Sequence, residues 1–191
     1  MRVTSRVFEY RCLWRLTPDA LRAGTTLLAD AILRDHRPIQ HVIGIANGGT
    51  TPARLLAATF GLPAGTVCAR HNLADSVYQQ ATGTVTLDLD SLTRTLNGHQ
   101  LQGPVLIVDD ICGSGATLRR LRHDLTPWLN PNAEVLTAVL CLNTGTSTLP
   151  DYSVWAVSDW VVFPWEQPPA GQDTTPLPIP TQAIHHAQPT A

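Results

Sequence analysis

The chain has 191 residues, a length that suits one domain around a single core. Apolar residues make up 43% and charged ones only 15%, with a net charge of −2. A nucleic-acid partner needs an electropositive surface to displace counterions, so this balance argues against one. All 13 basic residues are arginine, which excludes any chemistry that depends on lysine, whether a Schiff base or a lysine–phosphate contact.

Cys12, Cys68, Cys112 and Cys141 are scattered, with no CxxC pair, which argues against zinc and suits free thiols in a reducing, cytoplasmic setting. Residues 1–15 are punctuated by arginine, so no secretory leader is expected, and no apolar run approaches a membrane span.

In chain order, Thr17-Pro18-Asp19 starts a helix: Thr caps, Pro suits the first turn and Asp complements the positive helix end. Leu21, Leu28 and Ile32 form its apolar face, and it ends near residues 36–38. Residues 41–46 read as a buried strand, broken by Asn47-Gly48-Gly49-Thr50. A helix over 52–60 is closed by Gly61. A strand over 65–70 precedes a polar stretch, 71–84, read as a mobile loop, and a short strand over 85–89. Residues 104–108 give the strongest strand signal, followed by a helix over 116–129 and a strand over 135–142. Arg119, Arg120 and Arg122 read as a solvated helix face. Shorter extended pieces fall at 154–157 and 160–163. The division expected is a domain over 1–166 and a Pro-rich tail over 167–191 that wraps the surface or is flexible.

Strands alternating with helices imply an α/β fold, a mostly parallel twisted sheet flanked by helices. Ligands of such sheets bind beyond the carboxyl ends of the strands, so the informative loops follow Ala46, Val108 and Leu142.

The segment Val105-Leu106-Ile107-Val108-Asp109-Asp110-Ile111-Cys112-Gly113-Ser114-Gly115-Ala116-Thr117 carries the chemistry. An apolar strand delivers two acids, then a turn of small residues, then a helix. Small residues let backbone N–H groups approach an anion, and the helix N-terminus adds unpaired donors, making a phosphate cradle to which Ser114 and Thr117 can add hydroxyls. Asp109 and Asp110 cannot sit in that cradle, because like charges repel; they suit sugar hydroxyls or Mg²⁺. The segment is no Walker A loop, which needs a lysine, and its glycine spacing is not that of a dinucleotide fingerprint.

This arrangement resembles the PRPP motif of type I phosphoribosyltransferases, over thirteen consecutive positions. The resemblance implies that Asp109 and Asp110 bind the ribose hydroxyls of PRPP and carry the catalytic and Mg²⁺ roles. Gly113, Ser114, Gly115, Ala116 and Thr117 would hold the 5′-phosphate, with Cys112 beside them among the substrate-binding residues. Asn47-Gly48-Gly49 looks like the family's pyrophosphate loop, with Asn47 in place of the usual cation. The segment 159–166 resembles the hood of bacterial and archaeal 6-oxopurine phosphoribosyltransferases, where an aromatic at the Trp160 position stacks on the base and Val161 backbone groups read its edge. Trp165 is expected to anchor the hood. Ser76-Val77-Tyr78 occupies the place of the family's lid.

Two departures bear on the base. Gly113 stands where many 6-oxopurine enzymes carry an acid/base Asp, and Leu142-Asn143-Thr144 stands where many carry a lysine for the 6-oxo group, leaving Asn143 to donate one hydrogen bond. The function expected is transfer of the 5-phosphoribosyl group of PRPP to a purine-like base, with Mg²⁺, giving a nucleoside 5′-monophosphate and pyrophosphate. The family further implies purine salvage in a homo-oligomer, without a nucleic-acid or membrane partner. A non-catalytic PRPP or nucleotide sensor on the same fold, and transfer to a non-purine or modified heterocycle, are the alternatives that Asn47 and Gly113 leave open.

Overall fold

A computed structural model of the protein describes residues 6–35, 37–70, 86–88 and 100–186. Strand β1 (Leu13–Arg15) leads into helix α1 (Pro18–Arg34), whose cap is the expected one: the Thr17 hydroxyl accepts from the Ala20 amide at 3.1 Å. Next come β2 (His41–Ala46), α2 (Thr50–Phe60), β3 (Ala64–Arg70), β4 (Thr86–Asp88) and β5 (Val105–Cys112). Helix α3 (Ala116–Leu125), a 3₁₀ turn (Thr126–Trp128), β6 (Val135–Asn143), β7 (Tyr152–Val157), β8 (Trp160–Val162), β9 (Thr175–Pro176) and β10 (Ile184–His185) complete the described elements.

Seven strands form the main sheet in the order β10-β7-β6-β5-β2-β3-β4. Its five central strands pair in parallel, and β4 and β10 add antiparallel edges. Both faces of β5 are covered, which explains its unbroken apolar run. Leu106 and Val108 pack on one face with residues of α1 and α2, such as Leu28, Ile32 and Leu56. Val105 and Ile107 pack on the other with Leu118, Leu121 and Leu125 of α3. A second, three-stranded parallel sheet, β8-β1-β9, makes the hood.

Three expectations change. Strand β5 runs on to Cys112, so both aspartates lie within the strand rather than in the turn beyond it. Helix α3 stops at Leu125, because Pro127 tightens the chain into a 3₁₀ turn. Of the two expectations for the tail, wrapping the surface or flexibility, the chain takes the first through residue 186: the tail supplies β9 to the hood and β10 to the main sheet, buries Leu177 and Ala183, and accepts the Trp155 indole N–H at the Pro178 carbonyl, 2.7 Å. The Pro-rich composition had hidden these edge strands, since proline is tolerated at a sheet edge. The expected lid at 76–78 lies outside the described residues. Among the described residues, no helix is long and apolar enough to cross a membrane.

Candidate active site

The carboxyl ends of β2, β5 and β6 bring the three informative loops together. Strand β2 ends at a cis Ala46–Asn47 peptide, and the Asn47–Gly49 turn follows, with the Gly49 amide returning to the Ile45 carbonyl at 2.7 Å. This turn presses on β5. A Cβ on Gly48 would overlap the Asp110 carboxylate, and one on Gly49 would overlap the Val108 carbonyl. The glycine pair therefore serves close approach to the two acids, as only glycine permits.

Asp109 and Asp110 sit side by side at the end of β5, both half-buried, with the Asp110 amide donating to Asp109 Oδ1 at 2.9 Å. Burial raises the Asp109 pKa well above the ordinary carboxylate value, and its charged neighbour Asp110 adds to the rise. Burial likewise pushes Asp110 up to about 6, reinforced by Glu166 and opposed by hydrogen bonds and by the Arg6 cation. Two carboxyls held this way gain from a cation or from sugar hydroxyls. Hard oxygen donors of this kind suit Mg²⁺, which is commonly held by one or two carboxylates together with substrate phosphates. Among the described residues, no cluster of three or more His, Cys, Asp or Glu side chains could hold a metal ion.

Beyond Cys112 the chain turns through Gly113-Ser114-Gly115 into α3. Gly115 caps the helix with φ 75°, and a Cβ there would overlap Thr148. The residue is thus glycine for both conformation and space. Ser114 Oγ accepts from the Ala116 amide at 3.4 Å, and Thr117 is buried at the first turn. The Cys112 thiol faces the core, donates to the Thr148 carbonyl at 3.5 Å and is pushed up to about 12 by burial, so it stays protonated and its side chain lies away from the loop's open side.

The hood brings Trp160 to this group. Its ring lies 6.0 Å from that of Phe8, and the Arg6 guanidinium lies over it at 4.8 Å. Val161 is buried and pairs with Trp14 of β1 in the hood sheet. Trp165 stacks on Phe163 at 5.2 Å, the anchoring role expected of it.

Asn143 and Arg122 play other parts than the sequence suggested, and Arg6 gave no signal there. Asn143 is fully buried, accepts from the Val7 amide at 2.8 Å and the Gly145 amide at 3.0 Å, and donates to the Val7 carbonyl at 2.8 Å. Its amide is committed to the N-terminal arm rather than to a base. Asp151 accepts from the Thr137 amide at 2.7 Å, the Thr137 hydroxyl at 2.8 Å and Arg122 at 2.5 Å, near the opposite end of β6. Arg122 is therefore no solvated-face residue. Arg6 was missed altogether: nothing in residues 1–15 marked it, although the lack of lysine meant that any cation at this site had to be an arginine.

The family model for the phosphoribosyl transferase domain matches residues 16–170. The chain belongs to the phosphoribosyltransferase family. Among solved structures, a purine phosphoribosyltransferase from Pyrococcus horikoshii is 25% identical, with a TM-score of 0.66 over 83% of this chain and 97% of that one. A xanthine-guanine-hypoxanthine phosphoribosyltransferase from Helicobacter pylori is 15% identical, with a TM-score of 0.62 over 80% and 90% of the two chains. A hypoxanthine phosphoribosyltransferase from Staphylococcus aureus is 18% identical, with a TM-score of 0.55 over 75% and 76%. At those lower identities the likeness shows the fold alone. The search of curated proteins gave no match. As a family member, this phosphoribosyltransferase is an enzyme of PRPP-dependent transfer.

Proposed function

We propose that this phosphoribosyltransferase joins the phosphoribosyl group of PRPP to a purine-like base. The observation that carries the proposal is the convergence of Asn47–Gly49, the β5 acids, the Gly113–Thr117 loop and the Trp160 ring at one end of the sheet. The 97% coverage of the Pyrococcus purine enzyme supports the same substrate class.

In this reading the amides at the head of α3, with the Ser114 and Thr117 hydroxyls, hold the 5′-phosphate. Asp109 and Asp110 accept hydrogen bonds from the ribose hydroxyls and fix C1′ over the Asn47–Gly49 turn, whose donors bind the diphosphate. Asn47 supplies a hydrogen bond there but no charge. The base stacks on Trp160 with Val161 backbone groups at its edge. The C1′–O bond to diphosphate breaks as the C1′–N bond to the base forms, and the proton of the attacking ring nitrogen passes to water, since Gly113 has no side chain to take it; positioning and charge stabilisation carry much of the rate. Mg²⁺, held by Asp109 and Asp110 together with the substrate, would neutralise the departing diphosphate.

A turnover screen tests this: PRPP and Mg²⁺ with purines, deazapurines and pyrimidines, scored by pyrophosphate release. Release with purines alone is the expected result. Release with a pyrimidine or a non-purine heterocycle in their place would overturn the purine reading while leaving the PRPP site intact.

A further inference from the structure

We propose that Thr148 and Arg119 are positioning residues for PRPP: together they brace the Gly113–Thr117 loop from behind and hold its amides in the arrangement that receives the 5′-phosphate. This rests on the reading of that loop given above.

The loop has little with which to fix its own shape. Gly113-Ser114-Gly115 offers almost no side chain to pack. Gly115 is the N-cap of α3 at φ 75° and has no side chain to satisfy the first-turn amides. Those amides are thereby left for an anion. A glycine-rich backbone also has many other shapes open to it, and ordering it at the moment of binding would cost affinity. The shape must come from outside the loop.

Thr148, between β6 and β7, meets the loop before, within and after its turn. Its carbonyl accepts from the Cys112 thiol at 3.5 Å. Its side chain lies against Gly115, where an added Cβ would overlap the Thr148 Cβ. Its hydroxyl accepts from Arg119 Nη1, and that same nitrogen donates to the Ser114 carbonyl at 3.4 Å. Arg119 stands in the first turn of α3, its amide donating to the Gly115 carbonyl at 3.1 Å. Cys112, Thr148, Arg119 and Ser114 thus close a ring around the turn. Thr148 joins it from 36 residues beyond Cys112 and 29 beyond Arg119.

The brace is itself anchored to the sheet. The Thr148 amide donates to Thr146 Oγ1 at 3.1 Å, and that hydroxyl donates to the Thr148 carbonyl at 3.2 Å. The Thr146 amide donates to the Asn143 carbonyl at 3.1 Å, and the Gly145 amide to Asn143 Oδ1 at 3.0 Å. Asn143 is fully buried at the end of β6. A loop supported in this way is ordered before its ligand arrives. Arg119 is exposed, so its replacement should change overall stability little and be read in ligand binding instead.

The test is calorimetric binding to the whole chain, with Mg²⁺, of PRPP, ribose 5-phosphate and pyrophosphate. Ribose 5-phosphate carries only the 5′-phosphate end of PRPP, and pyrophosphate only the leaving group. Thr148→Val, which keeps the volume and loses the hydroxyl, and Arg119→Gln should each raise the Kd of PRPP and of ribose 5-phosphate about 3- to 10-fold. The Kd of pyrophosphate should stay within about twofold. Thr148→Ser keeps the hydroxyl and should bind like wild type. The double variant should bind no more weakly than Arg119→Gln alone, because both changes remove one shared bond. Arg119→Gln carries the test should Thr148→Val fold poorly. Unchanged ribose 5-phosphate binding in the variants overturns the inference, as does equal weakening of all three ligands, the mark of a general structural role. Weakening in Arg119→Gln but not in a folded Thr148→Val overturns it too, since Arg119 would then touch the phosphate itself. Weakening of pyrophosphate alone overturns the underlying reading of the loop, and this inference with it.

Discussion

Replacing Asp110 with asparagine should make the protein more stable at neutral pH while removing its activity. The folded chain holds this carboxyl at about 6 against an ordinary 3.8, chiefly through burial. Between those values the folded state keeps a proton that the unfolded chain has released. The group's contribution to stability is therefore full below pH 3.8 and lost as pH rises through about 6. A gap of about 2 units, at roughly 1.4 kcal/mol each, makes the ionised carboxylate cost about 3 kcal/mol at pH 7. Asparagine carries no charge, its side-chain oxygen can still accept from the protonated Asp109, and its backbone amide still donates to Asp109 Oδ1. Unfolding followed by circular dichroism in Mg²⁺-free buffer should give Asp110→Asn a Tm about 6–12 °C above wild type at pH 7.5, on roughly 2–4 °C per kcal/mol for a chain this size. The gap should close by about pH 4, where both forms are neutral. A gap that stays constant from pH 4 to 8, or a variant less stable at pH 7.5, would refute the reasoning. Pyrophosphate release should fall with the substitution, the trade between stability and function expected of a charged site.

Gly48→Ala places a Cβ in the Asp110 carboxylate, so the turn must shift; the KM for PRPP should rise at least about tenfold with little change in Tm, read by initial rates. Asp151→Ala strips three hydrogen bonds from a buried acceptor and should cost about 3 kcal/mol in urea unfolding with no change in either KM, since Asp151 lies away from the site. A chain ending at Gln172 loses β9, β10, the Leu177 contact and the Trp155–Pro178 bond, and should be destabilised by about 2–4 kcal/mol; an unchanged urea midpoint would show that the docked tail contributes nothing.

Much of this was legible in the chain because local signals and burial agreed. The run from Val105 to Val108 is buried on both faces, so its composition announces a central strand, and the Thr17-Pro18-Asp19 cap announces α1. Of the candidate site, Gly48, Gly49 and Gly115 were legible because close approach and positive φ leave few other residues possible. What escaped was set by contacts across long stretches of sequence. Asn143 is 136 residues from its partner Val7, and Asp159 is 147 to 149 residues from the amides it caps. No spacing rule reaches that far, so the N-terminal arm, and Arg6 with it, carried no local signal. The edge strands of the tail escaped for a different reason: two-residue strands held by a few bonds leave no periodicity to read.

The most direct measurement compares wild type with Asp109→Asn, quantifying pyrophosphate and nucleoside monophosphate together from PRPP, Mg²⁺ and hypoxanthine. The account predicts equal amounts of the two products from wild type, and a loss of at least about 100-fold in the variant with its Tm unchanged or raised. Wild-type rates in the folded variant would contradict the placement of the ribose at the end of β5.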